Sequence, residues 1–162
     1  MINNVHTRRI PGNPSSNAPL IDRLAANDDP LWPSDRWPPM RLDQPLAAGA
    51  VGGHGMVRYR VESYAPGSSV VFRFDPAIGL VGTHTLTASA DGSDGTTITH
   101  TIDAQANGSM KLMWPFVVRW LHDALLEDAL DNAEAFARHN TVVRQPLPIH
   151  VRFLRVLVNR IR

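Results

Sequence analysis

His84 and His100 are the side chains whose types and spacing best suit chemistry in this sequence. Each sits in a stretch of strict alternation, VGTHTLTA and TTITHTIDA, with Gly82, Leu86, Ile98 and Ile102 two residues away. Each imidazole therefore shares a strand face with apolar or small neighbours. A hairpin closed at Asp91–Gly95 places the two stretches side by side, with the histidines opposite or diagonal and within side-chain reach. Two imidazoles titrating near neutrality and facing an apolar pocket can act as general base and general acid for enolisation, aldol closure or dehydration. Tyr59, on the corresponding face of an earlier strand, supplies a third polar group. The competing reading makes both histidines wall residues, hydrogen-bonded to threonine or backbone and structural in role.

Other chemistries find less support. His122, beside Asp123 and close to Leu121 and Leu125, can reach the same pocket from a helix or sit at its boundary. His54, His84, His100 and His122 are the nearest approach to a metal set, but there is no HExxH or other dense ligand spacing, and no metal or other cofactor is expected. The glycines at 49, 52, 53 and 55 precede a strand rather than a helix, so they lack the helix N-terminus that binds phosphate in a dinucleotide fold and read as a flexible loop at a cavity mouth. No GxSxG elbow is present, and the single lysine, Lys111, lies outside any phosphate-loop motif. Zero cysteines exclude thiolate chemistry and disulfides. With 16 basic and 15 acidic residues, no overall field favours nucleic acid.

The elements that must position these groups follow from periodicity. From Met40 the period is two: strands are expected over Met40–Asp43, Gly55–Tyr64, Ser68–Asp75, Val81–Ala90, Thr96–Ala106 and Ser109–Met113, preceded by Val5–Ile10. One face carries Val57, Tyr59, Val61, Val70, Phe72 and Phe74, then Leu86, Ile98 and Ile102 with the two histidines. The other is dressed in threonine, arginine and acid. Such a one-sided sheet needs a cover. From Trp114 to His139 apolar residues recur at three and four, through Val118, Leu121, Leu125, Ala129, Ala133 and Phe136, which predicts one long amphipathic helix. Between the first strand and Met40 the chain is rich in proline, with short helical pieces. Within it Trp32 and Trp37 flank Asp35 and Arg36, capping a core edge or touching a ligand.

The segments DRWPPM, GGHGMVRYRVESYAPGSSVVFRF, GTHTLTA and HTIDAQANGSMKLMWPFVVRWLHDALLEDALDNAEAF, together with this order of elements, resemble the START and Bet v 1 superfamily. These are the SRPBCC, or polyketide cyclase/dehydratase-like, proteins. The resemblance runs from about Val5 to Arg138. It implies an α+β helix-grip fold: a seven-stranded curved antiparallel sheet wrapped around a long C-terminal helix, with two small helices after strand 1. It also implies a cavity between sheet and helix for a hydrophobic, polyketide- or lipid-like molecule, and it brings no universal catalytic motif. Read onto this sequence, Tyr59, Phe72, Phe74 and Trp37 become ligand contacts. So do Leu86 and Ile98 on the sheet and Leu121, His122 and Leu125 on the helix, with His84 and His100 as the acid/base pair. A non-catalytic carrier of the same ligand is the alternative.

A length of 162 residues suits one domain, taken as residues 1–140, with 141–162 as an extension. In the extension Val151, Leu154, Leu157, Val158 and Ile161 recur at helical spacing against Arg152, Arg155 and Arg162, with no acid. This basic amphipathic helix is expected to pack on the domain or on a second copy in a homodimer, and otherwise to meet an anionic membrane surface through 149–162. The N-terminus lacks a signal-peptide core and no apolar run approaches spanning length, so a cytoplasmic location is expected.

Overall fold

The computed structural model describes residues 1–160. Seven strands form one antiparallel sheet: β1 (Ile2–Pro11), β2 (Arg41–Leu42), β3 (Val51–His54), β4 (Val57–Ala65), β5 (Ser69–Phe74), β6 (Leu80–Ala90) and β7 (Gly95–Ala106). Their order across the sheet is β1-β7-β6-β5-β4-β3-β2, a meander with the first strand carried round to pair with the last. Two short helices, α1 (Pro14–Asn17) and α2 (Pro19–Asp22), follow β1. The Asn13 side chain accepts from Ser16 N at 3.0 Å, and Pro14 takes a first-turn position where no N–H is needed. Buried Asn17 then ties this corner to the sheet through Pro11 O, Gly12 O and Thr96 Oγ1.

The long helical run begins at Met110. It consists of α3 (Met110–Met113), a π-helical turn (Trp114–Val118) and α4 (Arg119–Ala137), and the basic helix α5 (Ile149–Arg160) closes the described chain. This is the helix-grip architecture, with the sheet curled on one side of the long helix. The π turn has a local cause. Pro115 lacks an N–H and its ring would meet the carbonyl four residues back, and the helix widens until Arg119 N–H reaches Trp114 O.

The structure corrects two expectations within the expected count of seven strands. Ser109–Met113 is not a strand: Met110–Met113 is helical, the first turn of the run that continues through Trp114. Val51–His54, read as glycine loop, is a strand instead. A Cβ at Gly52 would lie 2.0 Å from Arg41 O, so the glycine lets β2 approach, and that lack of side chains removes any alternation to read.

The expected apolar face is the buried one. Tyr59, Val61, Val70, Phe72, Leu86 and Ile98 join Leu20, Ile21, Ala129, Leu130 and Ala133 in one core cluster. A second cluster, with Ile2, Phe74, Leu80, Ile102 and Trp114, closes the far end. A third joins Trp37, Leu125 and Leu126 to Val151 of α5. Val57 bridges the first two clusters and Trp32 the first and third, and members of all three surround a hollow.

The extension lies against its own chain. Val151 is buried, Arg144 pairs with Asp35 at 2.7 Å, and the Arg155 guanidinium stacks 4.7 Å over Trp37 while donating to Arg36 O. Ile149, Phe153, Val156 and Leu157 remain exposed on its outer side. Ile161 and Arg162 lie outside the described residues.

Candidate functional site

The hollow between sheet and α4 has a volume of about 430 Å³ and a largely apolar wall. Phe72, Phe74, Leu86 and Ile98 line it from the sheet, Leu121, His122 and Leu125 from α4, and Trp37 from the proline-rich loop. His84 and His100 line it as well. Tyr59 is the expected contact that does not: its ring packs edge-on against Phe72 and His84, each 4.9 Å away, behind the wall. Its hydroxyl lies 3.3 Å from His54 Nδ1, so it meets the cavity only through that ring.

The strand register explains the meeting of the two histidines. His84 pairs with Ile102 and His100 with Leu86, so the imidazoles are diagonal neighbours on one face. His84 Nδ1 and His100 Nε2 are 3.3 Å apart, and the remaining nitrogens, His84 Nε2 and His100 Nδ1, are buried without a protein partner. His84 is also stacked on Phe72 and Phe74, which fixes its ring plane. Burial drives both pKa values well below the usual imidazole range, and the neighbouring histidines push the same way. Both rings are therefore neutral at pH 7. A neutral imidazole carries one proton, so a hydrogen bond between two of them leaves one bare nitrogen and one N–H on the outer atoms, whichever ring donates.

These rings belong to a longer row. The His122 ring lies 5.1 Å from that of His100, and the His6 ring 5.8 Å from that of His122. On the other side the His54 ring packs at a tilt against Trp32, with 4.7 Å between ring centroids. Burial lowers the pKa of His54 to about 3 and also lowers that of His122. His54 lines the cavity although its strand was unreadable, and Leu126, Trp114 and Arg155 join the wall from elements whose packing leaves no local signature. His6 gave no signal except its position two residues from Arg8 on an alternating strand.

No family model matches the chain, and no curated protein matches it in sequence. Solved structures do match. The fold is the helix grip shared by SRPBCC, or Bet v 1-like, proteins. CalU16 from Micromonospora echinospora is 14% identical over 98% of this chain and 84% of that one, with a TM-score of 0.57. Truncated norcoclaurine synthase from Thalictrum flavum is 10% identical over 86% of this chain and 96% of that one, with a TM-score of 0.63. The Aha1 dimer from Colwellia psychrerythraea is 12% identical over 85% of this chain and 97% of its own, with a TM-score of 0.58. At such identities the likeness is one of fold. Among the described residues no helix is long and apolar enough to cross a membrane.

Proposed function

We propose that this protein binds a hydrophobic, polyketide- or lipid-like molecule between sheet and α4, and that the His84–His100 pair moves protons on it in a cyclisation or dehydration. The observation that carries this reading is the pair's outer atoms: one bare nitrogen and one N–H, both buried and without protein partners. The bare nitrogen takes a proton from the carbon beside a carbonyl, while the N–H gives its proton to the oxygen on which charge develops. Transfer of the shared proton across the 3.3 Å bond returns both rings to neutrality, in the mirror tautomer. The dry apolar wall keeps the base uncharged and shields the reactive chain from water. A fold neighbour, a point mutant of Thalictrum flavum norcoclaurine synthase, has been solved in complex with a transition-state analogue, and that likeness of fold supports the reading.

A carrier would need the same wall but no such pair, so the experiment separates binding from proton transfer. The bound probe is a long-chain alkyl aryl ketone in deuterated water, with label uptake at the α-carbon read by mass spectrometry. The double variant His84→Gln, His100→Gln is expected to slow uptake about 10²–10⁴-fold while probe affinity stays within a few-fold. Equal uptake by wild type and double variant refutes the catalytic reading and leaves the carrier.

A further inference from the structure

At the end of the histidine row, β1 and α4 bring three metal-ligating side chains to one point. His6 Nε2 lies 3.1 Å from Asp123 Oδ1, His122 Nδ1 lies 3.5 Å from the same oxygen, and one ligating atom from each residue falls within 4.8 Å of the others. Two donors held 2.0–2.1 Å from a shared ion at tetrahedral angles stand roughly 3.3 Å apart, which the two measured edges bracket.

The polar groups around this point have the buried, unpartnered and oriented character of a ligand set. Both His122 ring nitrogens are buried and neither has a hydrogen-bond partner, a costly condition for a structural histidine at about 1–3 kcal/mol per unsatisfied group. His6 is oriented from behind, its Nδ1 being 2.9 Å from Glu127 Oε1, so that Nε2 faces Asp123. A carboxylate on the far nitrogen is the arrangement that fixes a metal-bound imidazole in its ligating tautomer. Asn4 donates its Nδ2 to Asp123 Oδ1 at 3.0 Å, and its own Oδ1 is buried without a partner. Turning that amide over would exchange a donor to the carboxylate for a further oxygen ligand beside it.

We infer that His6, His122 and Asp123 form a binding site for one divalent transition-metal ion of the zinc type. Two imidazoles and one carboxylate are a donor set that zinc and its first-row neighbours accept, and three protein ligands leave a position open. Because His122 also lines the cavity, the ion would stand at its wall, next to the His100 ring. The inference does not rest on the proton-transfer reading: a carrier could hold the same ion.

The test uses full-length, tag-free protein stripped with a chelator, titrated with Zn²⁺ by calorimetry and with Co²⁺ by visible absorption. One equivalent of Zn²⁺ is expected, with the intense visible bands of low-coordinate Co²⁺. Asp123→Asn and His6→Gln are each expected to abolish the high-affinity equivalent. Glu127→Gln, at a half-exposed side chain that does not threaten folding, should weaken it about 10–100-fold. The His84→Gln, His100→Gln variant should bind as wild type does, which separates this site from the catalytic pair. Circular dichroism confirms that each variant is folded. Absence of a stoichiometric equivalent in wild type overturns the inference. So does full binding by folded His6→Gln and Asp123→Asn, or loss of binding in the His84/His100 variant.

Discussion

Helix α4 meets the sheet along two seams built from different materials. Over β4 to β7 it offers Leu121, Leu125, Ala129 and Leu130 to Phe72, Leu86 and Ile98, but part of the space between is left open. Along β1 the contact is polar and closed. Asn4, His6 and Arg8 alternate inward and meet the helix row Asp123, Glu127, Asp131 and Glu134. Arg8 alone reaches three of those carboxylates, at 2.9–3.2 Å. On the opposite flank, buried Asp128 accepts from Arg36 at 2.9 Å and from the Trp37 indole at 2.7 Å, anchoring the proline-rich loop. A helix over a solid core is held by the contacts beneath it. This one spans a hollow and forgoes part of that attraction, so polar ties on both flanks fix its position while the middle stays open.

Acid should break the hollow side by the largest margin. His54, His84, His100 and His122 all have pKa values lowered by burial, so the unfolded chain binds more protons than the folded one below about pH 6.5. Their contribution is fully present above the unfolded pKa of about 6.5 and is lost as pH falls toward the depressed folded values, near 3 for His54. Asp123 acts in the same direction at lower pH. Burial raises its carboxyl, but the nearby His122 and His6 rings and the Asn4 amide donor outweigh that and hold it below the usual carboxylate range. Unfolding free energies from urea titrations should therefore fall by several kcal/mol from pH 7 down to pH 4, and His54→Gln should flatten the curve. A profile without slope in that window would mean the rings are solvated in the folded state.

The flanking ties come next in size. Asp128→Ala removes the acceptor of the Trp37 indole and, among the described residues, the only carboxylate paired with Arg36, leaving that mostly buried guanidinium with the Gln145 carbonyl, while Arg144 still donates to the backbone carbonyl of residue 128. Loss of one partner from a buried pair costs about 3–5 kcal/mol. That fall in unfolding free energy should come with greater protease sensitivity of the 30–40 loop. A loss below about 1 kcal/mol would show that the loop is held mainly by its other contacts, the packing of Trp37 and the Arg144–Asp35 pair among them.

The two seams were not equally readable in the sequence. Threonine-rich alternation in β6 and β7 placed His84 and His100 on the buried face because the period of two is a local property of each strand. The apolar repeat likewise marked the helix that covers them. Short or side-chain-poor segments misled the same reading: MKLM fits one helical turn as well as a strand, and Gly52–Gly53 leaves nothing to alternate. The polar seam had no local signature. Its acidic row resembled a solvated helix face, and its partners His6 and Arg8 lie 117 and more residues away. Only closure of β1 beside β7 brings them together, as it does the His6, His122 and Asp123 cluster.

Filling the hollow gives the sharpest contrast through the smallest change in stability. Extra atoms forced into a close-packed core displace neighbours and cost about 1–3 kcal/mol. Leu121 points from α4 into the open space, so an indole there meets vacancy first and wall second. Leu121→Trp is expected to change the unfolding free energy by less than about 1 kcal/mol, because apolar area buried at about 25 cal/mol per Å² offsets residual strain. The same substitution should weaken a fluorescent naphthalene probe more than tenfold by occupying its place. The Arg8 seam, which the indole does not touch, should keep its salt dependence. A loss of several kcal/mol with probe affinity intact would mean that the helix is held by tight packing beneath Leu121 and that the probe binds elsewhere.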